Sequence, residues 1–238
     1  DGYVINGRKM WITNGVLDNH EPADVLFLYA KTGPERTAIS SFIIEAGQDG
    51  YKVGQKLKGK LGMRASNTAE LVFEDCHIKN IQLVGKEGES LNHMMRNLEI
   101  ERLTLAAMGL GIARRSLVIM NRYANERTSF DKPLVHFGQI QKYLAEGYAK
   151  YKAGRAYVYQ VAHQIESCNR IDSDGAKLFA STIAKEIADS AIQVLGGYGY
   201  MSEYVVERLW RDAKLLEIGG GTLEAHQKNM ALDLRKNP

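Results

Sequence analysis

At 238 residues, with 45% apolar and 25% charged positions, the chain can bury one large core or two smaller ones and has an ordinary globular composition. The net charge of +3 comes from scattered residues, which argues against nucleic-acid binding, and no apolar run is read as approaching a membrane span. Two cysteines, Cys76 and Cys168, lie far apart without metal-ligand spacing, so a reduced compartment and no bound metal are expected. The N-terminus lacks a charged-then-apolar targeting pattern, and the first residue need not be the natural start.

Residues 1 to about 85 are predicted to be β. YVINGRKMWIT, ADVLFLYAK, SSFIIEA, YKVGQKL and AELVFEDCHI are short runs rich in β-branched and aromatic residues, bounded by Gly, Asn, Asp or Pro. Asn6-Gly7 between two apolar segments predicts a hairpin turn. Regular spacing of short strands points to an antiparallel barrel or sandwich that begins in mid-sheet. From Glu87 the period changes to that of helices, over roughly 89–125, 134–168, 172–196 and 203–215, with a last helix starting near Thr222. Three long helices joined by polar loops such as NERTSFDKP and NRIDSD predict an antiparallel bundle, giving an α+β chain. No internal repeat or low-complexity tract is present.

Two details stand out in the helical half. The stretch LEIGGGTLEA places Gly219, Gly220 and Gly221 before Thr222, where backbone must approach something closely or a side chain must be absent. On the first long helix an apolar stripe runs Leu91, Met94, Met95, Leu98, Leu105, Met108, Gly109 and Ile112, interrupted by Glu101 and Arg102. A second face runs Ile100, Leu103, Ala107 and Leu110, so the helix is expected to be covered on two sides. Glu101 would then be desolvated, which raises a carboxylate's pKa. Two readings stay open on this pattern: a general base tuned by apolar surroundings, or an internal ion pair with an Arg or Lys from another helix.

Six segments in order resemble the flavin-dependent acyl-CoA dehydrogenase family: KMWITNG (9–15), KLGMRASNTAELVFEDC (60–76), LEIERL (98–103), ERTSFDKPL (126–134), QVLGGYGY (193–200) and RDAKLLEIGGGT (211–222). KLGMR-SNT, LEIER and E-I-G-G-G-T look most like its isovaleryl-type members. The resemblance implies that residues 1–85 are part of the middle β-domain and 86–238 the C-terminal helical bundle of a longer protein. It also implies a catalytic glutamate. Most members carry theirs in a Y-E-G-T motif before the last helix, where this chain has Gly220. Isovaleryl-type and long-chain-type members carry it on the first long helix, and Glu101 matches that position. The glycines would leave space beside the thioester and for a branched acyl chain.

The chemistry so implied is α,β-dehydrogenation of a short branched acyl-CoA, as in leucine catabolism, with FAD as cofactor and electrons passed to an electron-transfer flavoprotein. Trp11, Ile12 and Thr13 match a segment against the isoalloxazine; alone they read as a half-buried strand. Arg127 and Phe130 match residues that contact the flavin dinucleotide of a neighbouring subunit, although Arg127 alone reads as a solvated helix-end charge. Gln193, Gly196 and Gly197 match a segment against the adenosine part, although the glycines alone would be a helix C-cap. Thr222, Leu223 and Glu224 match the flavin-contacting start of the last helix, where Thr222 is also an ordinary N-cap. Glu99 and Arg102 match positions near pantetheine and substrate, and the Gly220 N–H, with Gly221 beside it, would meet the thioester oxygen.

Some positions depart from the family pattern. Phe130-Asp131 stands for F-G, Phe137-Gly138 for F-Q with Gln139 and Gln141 nearby, and Tyr198 for asparagine. Arg36 in GPERT is a candidate CoA-phosphate contact without a motif match. The family also implies a homotetramer built as a dimer of dimers, in the mitochondrial matrix or the bacterial cytoplasm. The alternative is a non-catalytic relative serving as a subunit or assembly partner of a larger complex.

Overall fold

The computed structural model describes residues 2–166 and 170–236. Cys168 and the end of the helix expected to reach 168 lie outside the described residues. The chain forms two compact units, Asp1–Arg96 and Asn97–Pro238.

The first unit contains β1 (Gly2–Thr13), β2 (Val25–Lys31), β3 (Ile39–Glu45), β4 (Tyr51–Lys56), β5 (Thr68–Lys79) and the short β6 (Leu83–Val84). They make two antiparallel three-stranded sheets, ordered β1-β5-β4 and β2-β3-β6. One core holds residues of both sheets, including Ile5, Leu28, Phe42, Ile44, Leu71, Phe73 and Cys76. This is the sandwich alternative; no closed barrel is formed among the described residues. Burying Phe42 or Ile44 contributes on the order of 2 kcal/mol each. The Cys76 thiol is fully buried, and desolvation pushes its pKa up.

The Asn6-Gly7 hairpin is not formed. β1 runs straight through it, paired with β5 from Gly2↔Lys79 to Thr13↔Thr68. Between the pairs Ile5↔Cys76 and Gly7↔Phe73, Asn6 stands opposite two residues, Glu74 and Asp75, which makes a β-bulge on β5. The Asp75 N–H donates to Asn6 Oδ1 at 2.8 Å, and Asn6 Nδ2 donates to Asp75 Oδ1 at 3.0 Å. The extra residue changes the phase of β5. Ala69, Leu71 and Phe73 point inward before it and Cys76 and Ile78 after it. The signal that promised a turn therefore serves the bulge.

The second unit is built on α1 (Leu91–Glu126), α2 (Gly138–His163), α3 (Arg170–Leu195), the single turn α4 (Gly197–Tyr200), α5 (Val206–Leu216) and α6 (Leu223–Lys236). NERTSFDKP is a small hairpin, β7 (Thr128–Ser129) with β8 (Lys132–Pro133), rather than an irregular loop. Its central residues Phe130 and Asp131 both have positive φ, +49 and +60, as the tightest hairpin turns require.

The buried side of α1 is not the expected stripe. It runs Arg102, Ala106, Gly109, Leu110, Ala113, Ser116, Met120 and Ala124, while Met95, Ile100 and Met108 are exposed. Small residues face inward because α3 comes close: a Cβ at Gly109 would stand 2.9 Å from the Ala180 carbonyl oxygen. α3 supplies Ala176, Ala180, Ile183 and Ile187 to the same core. Against the expectation that no run approaches a span, α1 is long and apolar enough to cross a membrane by length and composition, with an 18-residue window of mean hydropathy 1.5. It places Ala106, Leu110, Ala113, Met120 and Ala124 in the bundle core, as a core helix does.

Candidate active site

Residues 101 and 102 are consecutive on α1 and therefore point about 100° apart. Arg102 takes the buried direction and Glu101 the exposed one. This corrects the expectation of a desolvated Glu101 and separates the two readings of the interrupted stripe. The internal ion pair belongs to Arg102, whose Nη1 lies 2.9 Å from Asp174 Oδ1 on α3. Glu101 makes no hydrogen bond or ion pair among the described residues, so its carboxylate is free to accept a proton.

That carboxylate faces the glycine turn. A Cβ built at Gly220 would stand 3.6 Å from Glu101 Oε1 and would collide with Leu105 Cδ1, one helical turn further along α1. Gly220 has φ +66 and Gly221 φ +107, both in the region that favours glycine. A Cβ at Gly221 would meet the His226 ring, 2.9 Å from Cε1 and 3.0 Å from Nε2. Gly219 has neither constraint. Two of the three glycines are thus required by geometry, one by Leu105 and one by His226. Among the described residues, no acceptor is found for the N–H of Gly220 or Gly221.

Beneath the turn lies a buried polar cluster that the sequence did not reveal. Lys177 Nζ donates to the Gly221 carbonyl at 2.6 Å, and His226 Nε2 lies 3.0 Å from the same oxygen. His226 Nδ1 is 2.8 Å from Asp174 Oδ1. Asp174 and Lys177 are fully buried, while His226 and Arg102 nearly are. Burial, then the neighbouring Arg102 guanidinium, pushes the Lys177 ammonium down to about 8.

The other expected site residues fall in separate places. Trp11 sits in a second bulge, on β1, where Met10 and Trp11 oppose Glu70 alone; its φ is +60 and its indole 76% exposed. Ile12 is half-buried and Thr13 exposed beside it. Arg127 is exposed where α1 ends, and Phe130 at the tip of the β7–β8 turn is 88% exposed. Gln193 is on the outer side of α3, and Gly196 ends that helix with φ +60 and an N–H donated to Ile192 O at 2.9 Å, with Gly197 next to it. Thr222 caps α6, its Oγ1 accepting from Ala225 N at 3.3 Å; Leu223 and Glu224 form the first turn. Hydrogen bonds from its own backbone N–H and from Thr222 hold the Glu224 carboxyl below its usual range. Glu99 is half-buried.

From Glu101 to the end of α1 the helix advances about 38 Å at 1.5 Å per residue, so Glu101 and Arg127 cannot touch one small ligand from a single copy. A concavity of about 350 Å³ lies along the C-terminal half of α1 between Arg115, Arg122, Tyr123 and Glu203. It is roughly 20 Å from Glu101 along the helix. Within the second unit, the exposed Phe130 ring and the glycine amides without an acceptor among the described residues are the kinds of stacking and donor groups that a flavin dinucleotide uses, so these residues fit that group.

Comparison with known proteins identifies the family. Residues 1–76 match the family model of the acyl-CoA dehydrogenase middle domain, and residues 88–234 that of the acyl-CoA dehydrogenase C-terminal domain. The chain is 43% identical to a mitochondrial isovaleryl-CoA dehydrogenase of Oryza sativa subsp. japonica, over 99% of this chain and 57% of that protein. Butyryl-CoA dehydrogenase from Megasphaera elsdenii superposes with a TM-score of 0.91 at 36% identity, covering 98% of this chain and 60% of the other. A chain in the structure of the electron transferring flavoprotein of Acidaminococcus fermentans also has a TM-score of 0.91 at 36% identity, covering 98% and 61%. The chain thus spans little more than half the length of the relatives it matches. With both domain models matched in order, it belongs to the acyl-CoA dehydrogenase family.

Proposed function

We propose that the protein to which this chain belongs is an acyl-CoA dehydrogenase acting on a short branched acyl-CoA, with Glu101 as its base. The observation that carries this reading is the 3.6 Å between Glu101 Oε1 and the place a Cβ would occupy at Gly220. Resemblance puts the glutamate of most family members at the Gly220 position. Here a carboxylate reaches the same place from α1 instead, and the glycine leaves room for it. Glu101 takes the proton from the α-carbon of the thioester, and with no ion pair among the described residues it is available as an acceptor. The Gly220 N–H donates to the thioester oxygen, where negative charge develops.

FAD, when bound, supplies the hydride acceptor. Trp11, Ile12, Thr13, Gln193, Gly196, Gly197 and Thr222 to Glu224 would contact it, with Arg127 and Phe130 reaching in from a neighbouring copy. The 38 Å or so between Glu101 and the Arg127 end of α1 supports that division and hence a homo-oligomer, a dimer of dimers in this reading. Similarity to an enzyme named for isovaleryl-CoA favours a branched C5 substrate, and an electron-transfer flavoprotein would take the electrons. The setting in this reading is the mitochondrial matrix or the bacterial cytoplasm, the first favoured by the mitochondrial relative.

The test uses the full-length protein. Isovaleryl-CoA added anaerobically bleaches the oxidised-flavin absorbance, and Glu101→Gln slows that step by about 10²–10⁴-fold. Bleaching by butyryl-CoA but not isovaleryl-CoA would move the substrate class. Protein that binds no flavin would instead be a non-catalytic member of a complex.

A further inference from the structure

The cluster of Arg102, Asp174, Lys177 and His226 is assigned no part in the chemistry above. Four ionisable side chains with almost no water contact are a costly way to fill a bundle, since apolar residues of the same volume commonly give equal or greater stability. Three of them converge, directly or through one carboxylate, on a single backbone oxygen of the glycine turn. Lys177 on α3 and His226 on α6 both reach Gly221 O, and Asp174 Oδ1 orients His226 while accepting from Arg102 on α1.

Both ring nitrogens of His226 face oxygens, a carboxylate on one side and a carbonyl on the other. The ring thus bridges the Asp174 carboxylate on α3 to the glycine turn, at 2.8 and 3.0 Å. A carbonyl gripped by two buried side chains from different helices is held more firmly than one in an ordinary turn bond. The peptide unit is planar and trans, so fixing the Gly221 oxygen also fixes the Thr222 N–H on its opposite side. Two glycines precede that unit with φ +66 and +107, and without a restraint such backbone is the least ordered kind. The ring packs against Gly221 so closely that any Cβ there would meet it.

We propose that His226 and Lys177, oriented by Asp174 and Arg102, are positioning residues that clamp the Gly221 carbonyl and, with the Ile218 and Gly219 N–H groups donated to Leu215 O on the preceding side, hold the Gly220 amide between two anchored points in register with the Glu101 carboxylate. The catalytic part of this rests on the dehydrogenase reading; the clamp itself does not. A turn loosened by even about 1 Å at the reacting carbonyl costs roughly a hundredfold in rate.

The experiment compares the full-length wild-type protein with His226→Ala, His226→Gln and Lys177→Met. Amide hydrogen exchange of residues 218–222 is followed by mass spectrometry beside anaerobic flavin bleaching at saturating acyl-CoA. The expected result is faster exchange confined to that turn in His226→Ala and Lys177→Met. Their limiting bleaching rate falls about ten- to a hundredfold, while the acyl-CoA concentration for half-saturation changes little. Gln keeps one N–H toward Gly221 O and recovers part of both losses. Wild-type bleaching rates in both variants, or slow bleaching with unchanged exchange, overturn the proposal. If His226→Ala does not fold, His226→Gln and Lys177→Met decide it. Should wild-type protein itself fail to bleach, the dehydrogenase reading falls, and the exchange data still decide whether the cluster clamps the turn.

Discussion

Adding one methyl group at Gly220 tests how the site is packed. Alanine there must adopt φ +66, which costs an L-residue about 1–2 kcal/mol. Its Cβ also claims the space of Leu105 Cδ1, so Leu105 must leave its rotamer or push its neighbours, at a further cost of about 1–2 kcal/mol. Gly220→Ala should therefore lose about 2–4 kcal/mol. Leu105 is half-buried, so Leu105→Ala alone should cost only about 1–2 kcal/mol, less than a fully buried leucine. With Leu105 already trimmed, the methyl at 220 pays for its backbone conformation alone. The double variant should then be more stable than the sum of the single changes by about 1–2 kcal/mol. Urea unfolding of the four full-length proteins at one temperature measures the cycle. Additivity within about 0.5 kcal/mol would falsify the claim that Leu105 fills the place of the missing side chain.

Three further outcomes are expected. Gly109→Ala places a Cβ 2.9 Å from the Ala180 carbonyl, a backbone atom that cannot swing aside, and should lower stability by about 1–3 kcal/mol; an unchanged melting temperature would mean α1 and α3 are not so close. Asp233 receives Arg170 Nε at 2.8 Å, and this hydrogen bond holds its carboxyl below the usual range. Its folded pKa is depressed, so its contribution is present above the unfolded value of about 3.9 and is lost as pH falls through the folded value. Asp233→Asn should therefore be less stable than wild type at pH 6 but equal to it at the acid end, and a deficit independent of pH would exclude this origin. Lys177, at about 8 when folded, binds fewer protons than the unfolded chain between there and its ordinary 10.5. Wild-type stability relative to Lys177→Met should therefore rise with pH across that window. A flat difference in melting temperature from pH 8 to 10 would remove the desolvation argument.

How much of this was legible in the sequence depended on whether neighbours in the chain were enough to decide the matter. The five long strands and the long helices follow from period and composition, which are local. Asn6-Gly7 misled because the preference of that pair for a turn is weaker than the pairing of β1 with β5 along its whole length. The site was half legible. Motif order put Glu101 and Gly220 together, although they are far apart in sequence. Adjacent residues on a helix differ by about 100°, however, and nothing in LEIER says which of Glu101 and Arg102 turns inward. Asp174 ends the polar stretch NRIDSD and Lys177 follows it, and neither gave any signal. Their role depends on His226 and Arg102 arriving from two other helices.

The long reach of α1 also makes the chain unequally tolerant of change. Gly111 has open space where a Cβ would go, so a side chain there meets nothing. Deleting that same residue would turn everything beyond it by about 100° and draw it in by about 1.5 Å. Glu101 would keep its turn of glycines while Arg127 and the β7–β8 hairpin faced another direction. An insertion of seven residues nearly restores the angle but adds about 10 Å of length. Between Glu101 and Arg127, drift by substitution is permitted over much of the exposed face, whereas the count of residues is held fixed.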